Sequence, residues 1–380
     1  MLIQTQADFD QALAHLKKAN VIAVDTEFHR ERTYYPELCL IQVGTEEEAY
    51  AIDPLAKELD LQPLLDLLLD PKVVKVFHAA RQDLEIFQQM TGKVLPNVFD
   101  TQIAAMALGF GEQISYINLI ERTLSTRLSK AQQLTNWQRR PLTDQQLRYA
   151  LDDVVYLIKA YHNIIDRLKS KDRLSWLDDE EERLLSEEAF ASNPDQLTKG
   201  MRLKDRSPQA YTALRRLALW RDEKAQEENR PRHYIIKNEA LIVLAQQRPT
   251  TAPETENMRM ISKDFIRRYG SELFPILQEI QSADAADLER PAKRPQRSET
   301  ADGMVLKLTQ LLVAHTAEQE NITPRLIATT SDIEDFILGK PSQLDKGWRY
   351  ELLGKELKAL LKGEMALFIE DGSLVTGPKV

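Results

Sequence analysis

Asp25 and Glu27 stand two residues apart in the stretch Val21–His29, VIAVDTEFH. Its apolar, largely β-branched start predicts a short buried strand. Alternate residues of a strand share a face, so the two carboxylates point the same way. Like charges at the end of a buried strand repel each other unless a cation lies between them. A hard divalent ion with oxygen ligands, Mg²⁺ or Mn²⁺, is the usual partner. In so acidic a chain a D-x-E pair also arises by chance on a solvated strand end, so the chemistry depends on what joins it.

Two further signals can join it. Asp83 lies in His78-Ala79-Ala80-Arg81-Gln82-Asp83-Leu84, where a predicted strand, Val73–Phe77, runs into a predicted helix, Ala80–Met90. A carboxylate in a first helical turn is favoured by the helix dipole, which by itself accounts for Asp83. Tyr149 and Asp153 are four apart in a long helix. That helix opens with Thr143 and Gln146 in a capping-box pattern and runs towards Lys169. Residues four apart meet on one helical face. Spacing alone does not choose between Asp152 and Asp153, which flank the direction of Tyr149 on either side.

The elements that must position these groups read as a mixed α/β sheet. A short amphipathic helix is expected over Asp8–Asn20, then strands at Val21–Phe28, Cys39–Val43, Glu48–Ile52 and Val73–Phe77. Helices are expected near Leu61–Leu69, over Ala80–Met90, and over Thr101–Leu124 with a break at Gly109-Phe110-Gly111. Ser125–Pro141 is polar and carries Trp137, Arg139 and Arg140. Strands first, with helices interleaved afterwards, argue for an α/β architecture.

The texture changes after Ser170. Leu174–Phe190 reads as one acidic helix, and Lys199–Ser282 as wholly helical. That second window holds 16 Lys and Arg against 11 Asp and Glu, a net positive patch in a chain of net charge −9. Ser282–Gly303 reads as a linker, and Met304–Val380 as again mainly helical. The 380 residues suffice for two or three domains. Expected boundaries are a first domain over 1–170, a helical linker over 171–200, a helical domain over 201–282, a linker over 283–302 and a second helical unit over 303–380. No apolar run is long enough to span a bilayer, and the first residues lack the basic and apolar regions of a secretory signal. Cys39, the single cysteine, sits in an apolar run and reads as a buried, reduced thiol of a cytoplasmic protein. The acidic balance argues against a wholly basic nucleic-acid coat protein, but leaves room for a local basic surface.

D-x-E on a strand, Asp at a strand–helix junction and Y-x-x-x-D on a late helix, in that order, resemble the DEDD superfamily of 3′→5′ exonucleases in its subclass with a tyrosine in the third motif. VDTEFHRERTYYPELCLIQ, FHAARQDLE and NWQRRPLTDQQLRYALDDV are similar, within it, to the ribonuclease D family. The window near 203–282 resembles the HRDC domain shared with RecQ-type helicases, and 303–380 a second, weaker copy. One departure is Asn136, where the family is expected to have Asp before Trp137.

The resemblance implies an RNase H-like exonuclease domain followed by two small all-α HRDC-like domains. It implies two-metal hydrolysis of RNA from a free 3′ end, releasing nucleoside 5′-monophosphates, with tRNA precursors as substrates and no membrane or obligate protein partner. Asp25, Glu27, Asp83 and Asp153 are then the metal ligands for two Mg²⁺ or Mn²⁺ ions. Tyr149 orients the attacking water, and the resemblance selects Asp153 over Asp152. Phe28, His29, His78, Trp137, Arg139 and Arg140 are candidates for substrate contact, although a core place is the more ordinary one for Trp137 and a solvated, salt-bridging face is as ordinary for the arginines. The helical units would capture RNA, with Tyr211, Arg215, Arg216, Trp220, Arg232 and Tyr234 as candidates, and a chain ending at Leu197 is expected to remain a folded nuclease. The competing readings are a 3′→5′ DNA exonuclease using the same carboxylates and a catalytically inactive RNA-binding scaffold.

Overall fold

The computed structural model describes residues 1–129, 132, 135–291 and 301–378. The expected linker over 283–302 therefore lies partly outside the described residues. The chain forms two compact units. The first comprises Met1–Glu27, Leu38–Ser186 and Pro295–Val380, and the second comprises Phe28–Glu37 and Glu187–Arg294.

The first unit is built on a six-stranded sheet. In chain order its elements are β1 (Leu2–Ile3), α1 (Gln6–Leu16), β2 (Val21–His29), β3 (Glu37–Gly44), β4 (Ala49–Ile52), α2 (Gln62–Leu68), β5 (Val74–Phe77), α3 (Arg81–Thr91), β6 (Val98–Asp100), α4 (Thr101–Ala107), α5 (Tyr116–Leu124) and α6 (Asp144–Ser170). The strand order is β1-β4-β3-β2-β5-β6. β1 runs parallel to β4, β3 antiparallel to β4, and β2, β5 and β6 run parallel to one another. The sheet is thus mixed, as the sequence pattern implies. β2 is central, and Ile22, Ala23 and Val24 are fully buried. β1 and β6 are too short to leave a periodic signal, and the expected reading placed neither.

α6 begins at the expected capping box: Thr143 Oγ1 accepts from Gln146 N at 3.2 Å, and Gln146 Oε1 accepts from Thr143 N at 3.0 Å. The helix lies close against the sheet. A Cβ on Gly44 of β3 would lie 3.1 Å from Val154 Cβ, so a larger residue here requires α6 to give by a few tenths of an ångström. Val154, Leu157 and Ile158 of α6 pack with Ala23, Val76 and Phe99 of the sheet.

The C-terminal region belongs to this first unit. After α7 (Asp178–Leu185) the second unit contributes α8 (Glu187–Phe190), α9 (Pro194–Leu197), α10 (Pro208–Glu227), α11 (Arg232–Ile235), α12 (Asn238–Gln247) and α13 (Lys263–Ser282). The expected single helix over Leu174–Phe190 is broken at Ser186, whose ψ of 145° is extended. The chain then returns through α14 (Gly303–Glu320), α15 (Pro324–Ile327), α16 (Thr330–Ile337), α17 (Gly347–Arg349), a π-helical turn at Tyr350–Gly354, and α18 (Lys355–Leu361). It ends in a hairpin, β7 (Met365–Glu370) and β8 (Ser373–Pro378), where the sequence reading placed no strand. Asp371 and Gly372 turn it with φ of 49° and 79°, the left-handed pair that a two-residue hairpin requires.

Several contacts fix the returning segment. Leu326 joins the α6 core, and Trp348 stacks on Trp176 at 4.1 Å with the ring planes 3° apart. Arg349, 2% exposed, donates to Asp179, Glu180 and the carbonyl of Leu326. A chain ending at Leu197 would lack Trp348, which stacks on Trp176, and Leu326, which joins the α6 core.

Gly44→Ala is expected to lower the stability of the full chain by about 1–3 kcal/mol, because the methyl group must push α6 off β3. Thermal or urea unfolding of the variant beside the parent chain checks this, and an unchanged transition would show that α6 moves freely.

Candidate active site

β2 and α6 bring together what the spacing singled out. One carboxylate oxygen from each of Asp25, Glu27 and Asp153 lies within 4.8 Å of the others. Asp83, in the first turn of α3, stands beside this trio and is 7% exposed. Thr26, between Asp25 and Glu27, donates its hydroxyl to Asp83 Oδ1. Tyr149, one helical turn before Asp153 on α6, lines the same cleft as the Asp153 carboxyl. Asp152 is held above its ordinary value by burial, with the Arg148 charge opposing.

The cleft is about 620 Å³ and is lined by Asp25, Glu27, Tyr149 and Asp153, with His78, Tyr116 and Arg148 among its walls.

Electrostatics sets the character of the site. Burial pushes Asp25 well above the usual carboxylate range; the Asp153 charge adds to it, and a hydrogen bond from the Thr26 backbone opposes it. Burial, then the charges of Asp25, Asp153 and Asp83, push Glu27 up to about 10. Burial and Asp152 push Asp153 up to about 8, while Tyr149 pulls it back. Asp83 is raised by burial and then by Asp25. Burial and the neighbouring carboxylates also raise Tyr149, so its phenol stays protonated. Four carboxyls that burial, aided by neighbouring carboxylate charge, holds towards the neutral form are an oxygen-only donor set suited to hard divalent cations.

The scaffold behind the trio contains residues that the sequence reading missed. Tyr116 of α5 donates to the backbone carbonyls of Asp153 at 2.6 Å and Asp152 at 3.1 Å. Asp100 accepts from the backbone N–H groups of Ala79, Ala80 and Gln102 at 3.0, 2.9 and 2.8 Å. These bonds hold the turn that starts α3, in which Ala79 has φ of 59°, a conformation an alanine rarely adopts. An N-cap Asp before a helix is visible in sequence, but its second task across the sheet is not.

The other expected contact residues divide. His78 lines the cleft, with Nδ1 3.0 Å from Thr101 Oγ1 and Nε2 3.0 Å from the Ile114 carbonyl, and burial lowers its pKa. Both ring nitrogens are thus used by the protein. Trp137 is buried in the cluster of Cys39 and Ala150, its ring 6.2 Å from that of Tyr149. Arg140 donates to both oxygens of Asp53 at 2.7 Å and to the carbonyls of Cys39 and Trp137. Burial pushes Asp53 up, but hydrogen bonds from Arg140, Gln4 and the Leu55 backbone outweigh it and leave its pKa lowered. Arg139 is exposed, and Asn136 accepts from the Gln138 backbone at 3.0 Å in a local turn. Phe28 and His29 end β2 in the second unit, His29 lying 3.7 Å from the Glu31 carboxylate.

Known proteins match this arrangement along its length. A 3′-5′ exonuclease family matches residues 1–169, and the HRDC domain family matches residues 212–277. The fold is that of a 3′→5′ exonuclease carrying an HRDC module. Ribonuclease D of Zymomonas mobilis is 40% identical over 98% of this chain and 97% of its own. Ribonuclease D of Bartonella henselae is 35% identical over 99% and 93%. The crystal structure of Escherichia coli RNase D, an exoribonuclease involved in structured RNA processing, superposes with a TM-score of 0.79 at 28% identity, covering 95% of this chain and 98% of that one. The chain belongs to the ribonuclease D family of 3′→5′ exoribonucleases.

Each raised carboxyl contributes stability that is complete below the ordinary carboxylate range and is lost as pH rises through its folded pKa. Metal-free protein is therefore expected to melt at lower temperature at about pH 9 than at about pH 5. A bound cation favours the ionised form, so Mg²⁺ should raise the melting temperature more at the higher pH. Melting curves with EDTA and with Mg²⁺ at both pH values check this; equal Mg²⁺-induced shifts would contradict it.

Proposed function

We propose that the chain trims structured RNA, tRNA precursors among it, from a free 3′ end by two-metal hydrolysis, releasing nucleoside 5′-monophosphates. The observation that carries the reading is the trio of Asp25, Glu27 and Asp153, gathered by β2 and α6 within 4.8 Å. These three would hold one divalent ion, with Asp25 shared and Asp83 serving the second; Mg²⁺ is the expected ion, and Mn²⁺ can substitute. When bound, such ions neutralise the scissile phosphate, lower the pKa of water and stabilise the leaving 3′-oxygen. The water oxygen forms the new bond to phosphorus, the bond to the 3′-oxygen breaks, and the proton ends on that oxygen.

The chain's own groups supply orientation. Tyr149 has its pKa raised, so it acts as a hydrogen-bonding orienter of the attacking water and not as a base. Its place one helical turn before Asp153 sets its hydroxyl beside that carboxyl in the cleft. Arg148 on the cleft wall offers a cation to the phosphate backbone. Among the described residues no helix is long and apolar enough to cross a membrane. With the buried Cys39, this supports a cytoplasmic placement as part of the same reading.

Asp153→Asn is expected to remove nearly all hydrolysis while the fold persists, Asp152→Asn to keep most of it, and Tyr149→Phe to lower kcat with metal binding largely spared. Digestion of matched 5′-labelled RNA and DNA oligonucleotides with Mg²⁺, Mn²⁺ or EDTA, together with a calorimetric metal titration, measures all three. Full activity of metal-stripped protein in EDTA would overturn the two-metal reading, and equal rates on DNA would overturn its RNA selectivity.

A further inference from the structure

The strand that carries Asp25 and Glu27 does not end in the unit where it begins. β2 continues to His29, and the segment Phe28–Glu37 that it enters belongs to the second unit. There the segment is held at several points. Asn229 Oδ1 accepts from the backbone N–H groups of both Tyr34 and Tyr35 at 3.1 Å. The Tyr34 hydroxyl donates to Asp222 Oδ1 at 2.9 Å and accepts from Arg232 Nη2 at 3.1 Å. The Arg232 guanidinium lies 5.2 Å from the centre of the Tyr34 ring, and the Tyr35 hydroxyl reaches Gln226 Oε1 at 3.3 Å. Asp222 is fully buried and also accepts from Ser192, Gln226 and Arg232. Asn229 is exposed and left-handed, with φ of 46°, a conformation that suits Asn, Asp or Gly.

This is more than a loop resting on a surface. Two backbone donors, two hydroxyls and one aromatic face are all engaged, by the C-terminal part of α10, the turn after it and the start of α11. A strand end that leaves a cluster of mutually repelling carboxylates needs its backbone fixed, because small displacements of catalytic groups cost large factors in rate.

We propose that the helical module clamps the segment leaving β2, with Asn229, Asp222 and Tyr34 as positioning residues for Glu27. The module then contributes to the chemical step as well as to RNA capture. The contribution is transmitted along the chain and needs no contact between the module and the substrate.

The test uses the full chain, a 5′-labelled RNA tetranucleotide and a tRNA-sized transcript. Asn229→Gly tolerates the left-handed backbone and removes the acceptor; Asn229→Asp keeps it; Tyr34→Phe keeps the ring and removes the hydroxyl. Asn229→Gly and Tyr34→Phe are each expected to lower kcat on the tetranucleotide about tenfold, with KM changed less than about twofold and a higher Mg²⁺ concentration at half-maximal rate. Asn229→Asp should restore the parent kcat. Parent kcat in Asn229→Gly and Tyr34→Phe, or a rise confined to KM on the tRNA-sized substrate, would overturn the clamp. The inference rests on Glu27 and Asp153 holding the metals, and Asp153→Asn on the same tetranucleotide tests that separately. An active Asp153→Asn defeats the site reading, whereas an inactive one beside fully active clamp variants defeats the clamp alone.

Discussion

The repulsion among Asp25, Glu27, Asp83 and Asp153 is the constraint around which the first unit is arranged. Each is driven towards its neutral form by burial, and several also by one another's charge. A flexible site would relax by letting the side chains swing apart into water. Here the backbone prevents this. Gly44 lets α6 settle onto the sheet, which sets Asp153 over β2. Tyr116 pins the carbonyls of Asp152 and Asp153, and Asp100 pins the strained turn ahead of Asp83. The work of folding thus holds like charges together, and a bound cation recovers the electrostatic cost.

The same logic explains why the chain returns after the second unit. α6 and the short helices that follow it leave Trp176 and Arg173 at the rim of the exonuclease core. Arg173 bonds the Ala107 carbonyl and Glu320, and Asn321 packs so tightly that a Cβ on Gly109 would lie 2.5 Å from its carbonyl oxygen. Thr323 N donates to the Met106 carbonyl at 2.9 Å. With Arg349 buried between Asp179 and Glu180, these contacts tie down the end of α4 and the start of α7. A buried guanidinium is costly unless every donor direction finds an acceptor, so the two halves of this arrangement are tolerable only together.

The site was legible where a short sequence period fixes geometry. D-x-E needs only the two-residue repeat of a strand, and Y-x-x-x-D only the four-residue neighbour of a helix. Asp83 needed the strand–helix junction, which the apolar run before it marks. What escaped were residues whose role comes from distant chain. Tyr116 reaches α6 from a helix with no special pattern of its own, and Asp100 serves a turn on the next strand. Ala79 at φ of 59° is invisible because alanine announces no such backbone. The β7–β8 hairpin escaped for a different reason. Asp371-Gly372 is a strong turn signal, but the stretch before it has a helical texture that masks the strand. Arg140 read as a phosphate contact because charge near a site suggests substrate, whereas Asp53, far away in sequence, accepts its guanidinium.

The second unit shows why net charge is a poor measure of phosphate affinity. Its basic excess is genuine, but much of it is engaged internally. Arg215 pairs with Asp195 and Glu289, Arg216 with Glu279, and Arg232 with Asp222. Trp220, buried, donates to Glu272 instead of offering a stacking face. Of the side chains expected to meet RNA in this module, Tyr234 is exposed at 49%, and Arg232, also exposed, is held by Asp222. Arg202, Lys204 and Arg206, just before α10, are exposed as well. Counterion release follows the cations still open to phosphate rather than the sum over the module. A module whose arginines are largely committed to holding its own helices, and to gripping Tyr34, is built for rigidity first. Rigidity is what a catalytic strand passing out of a charged cluster requires.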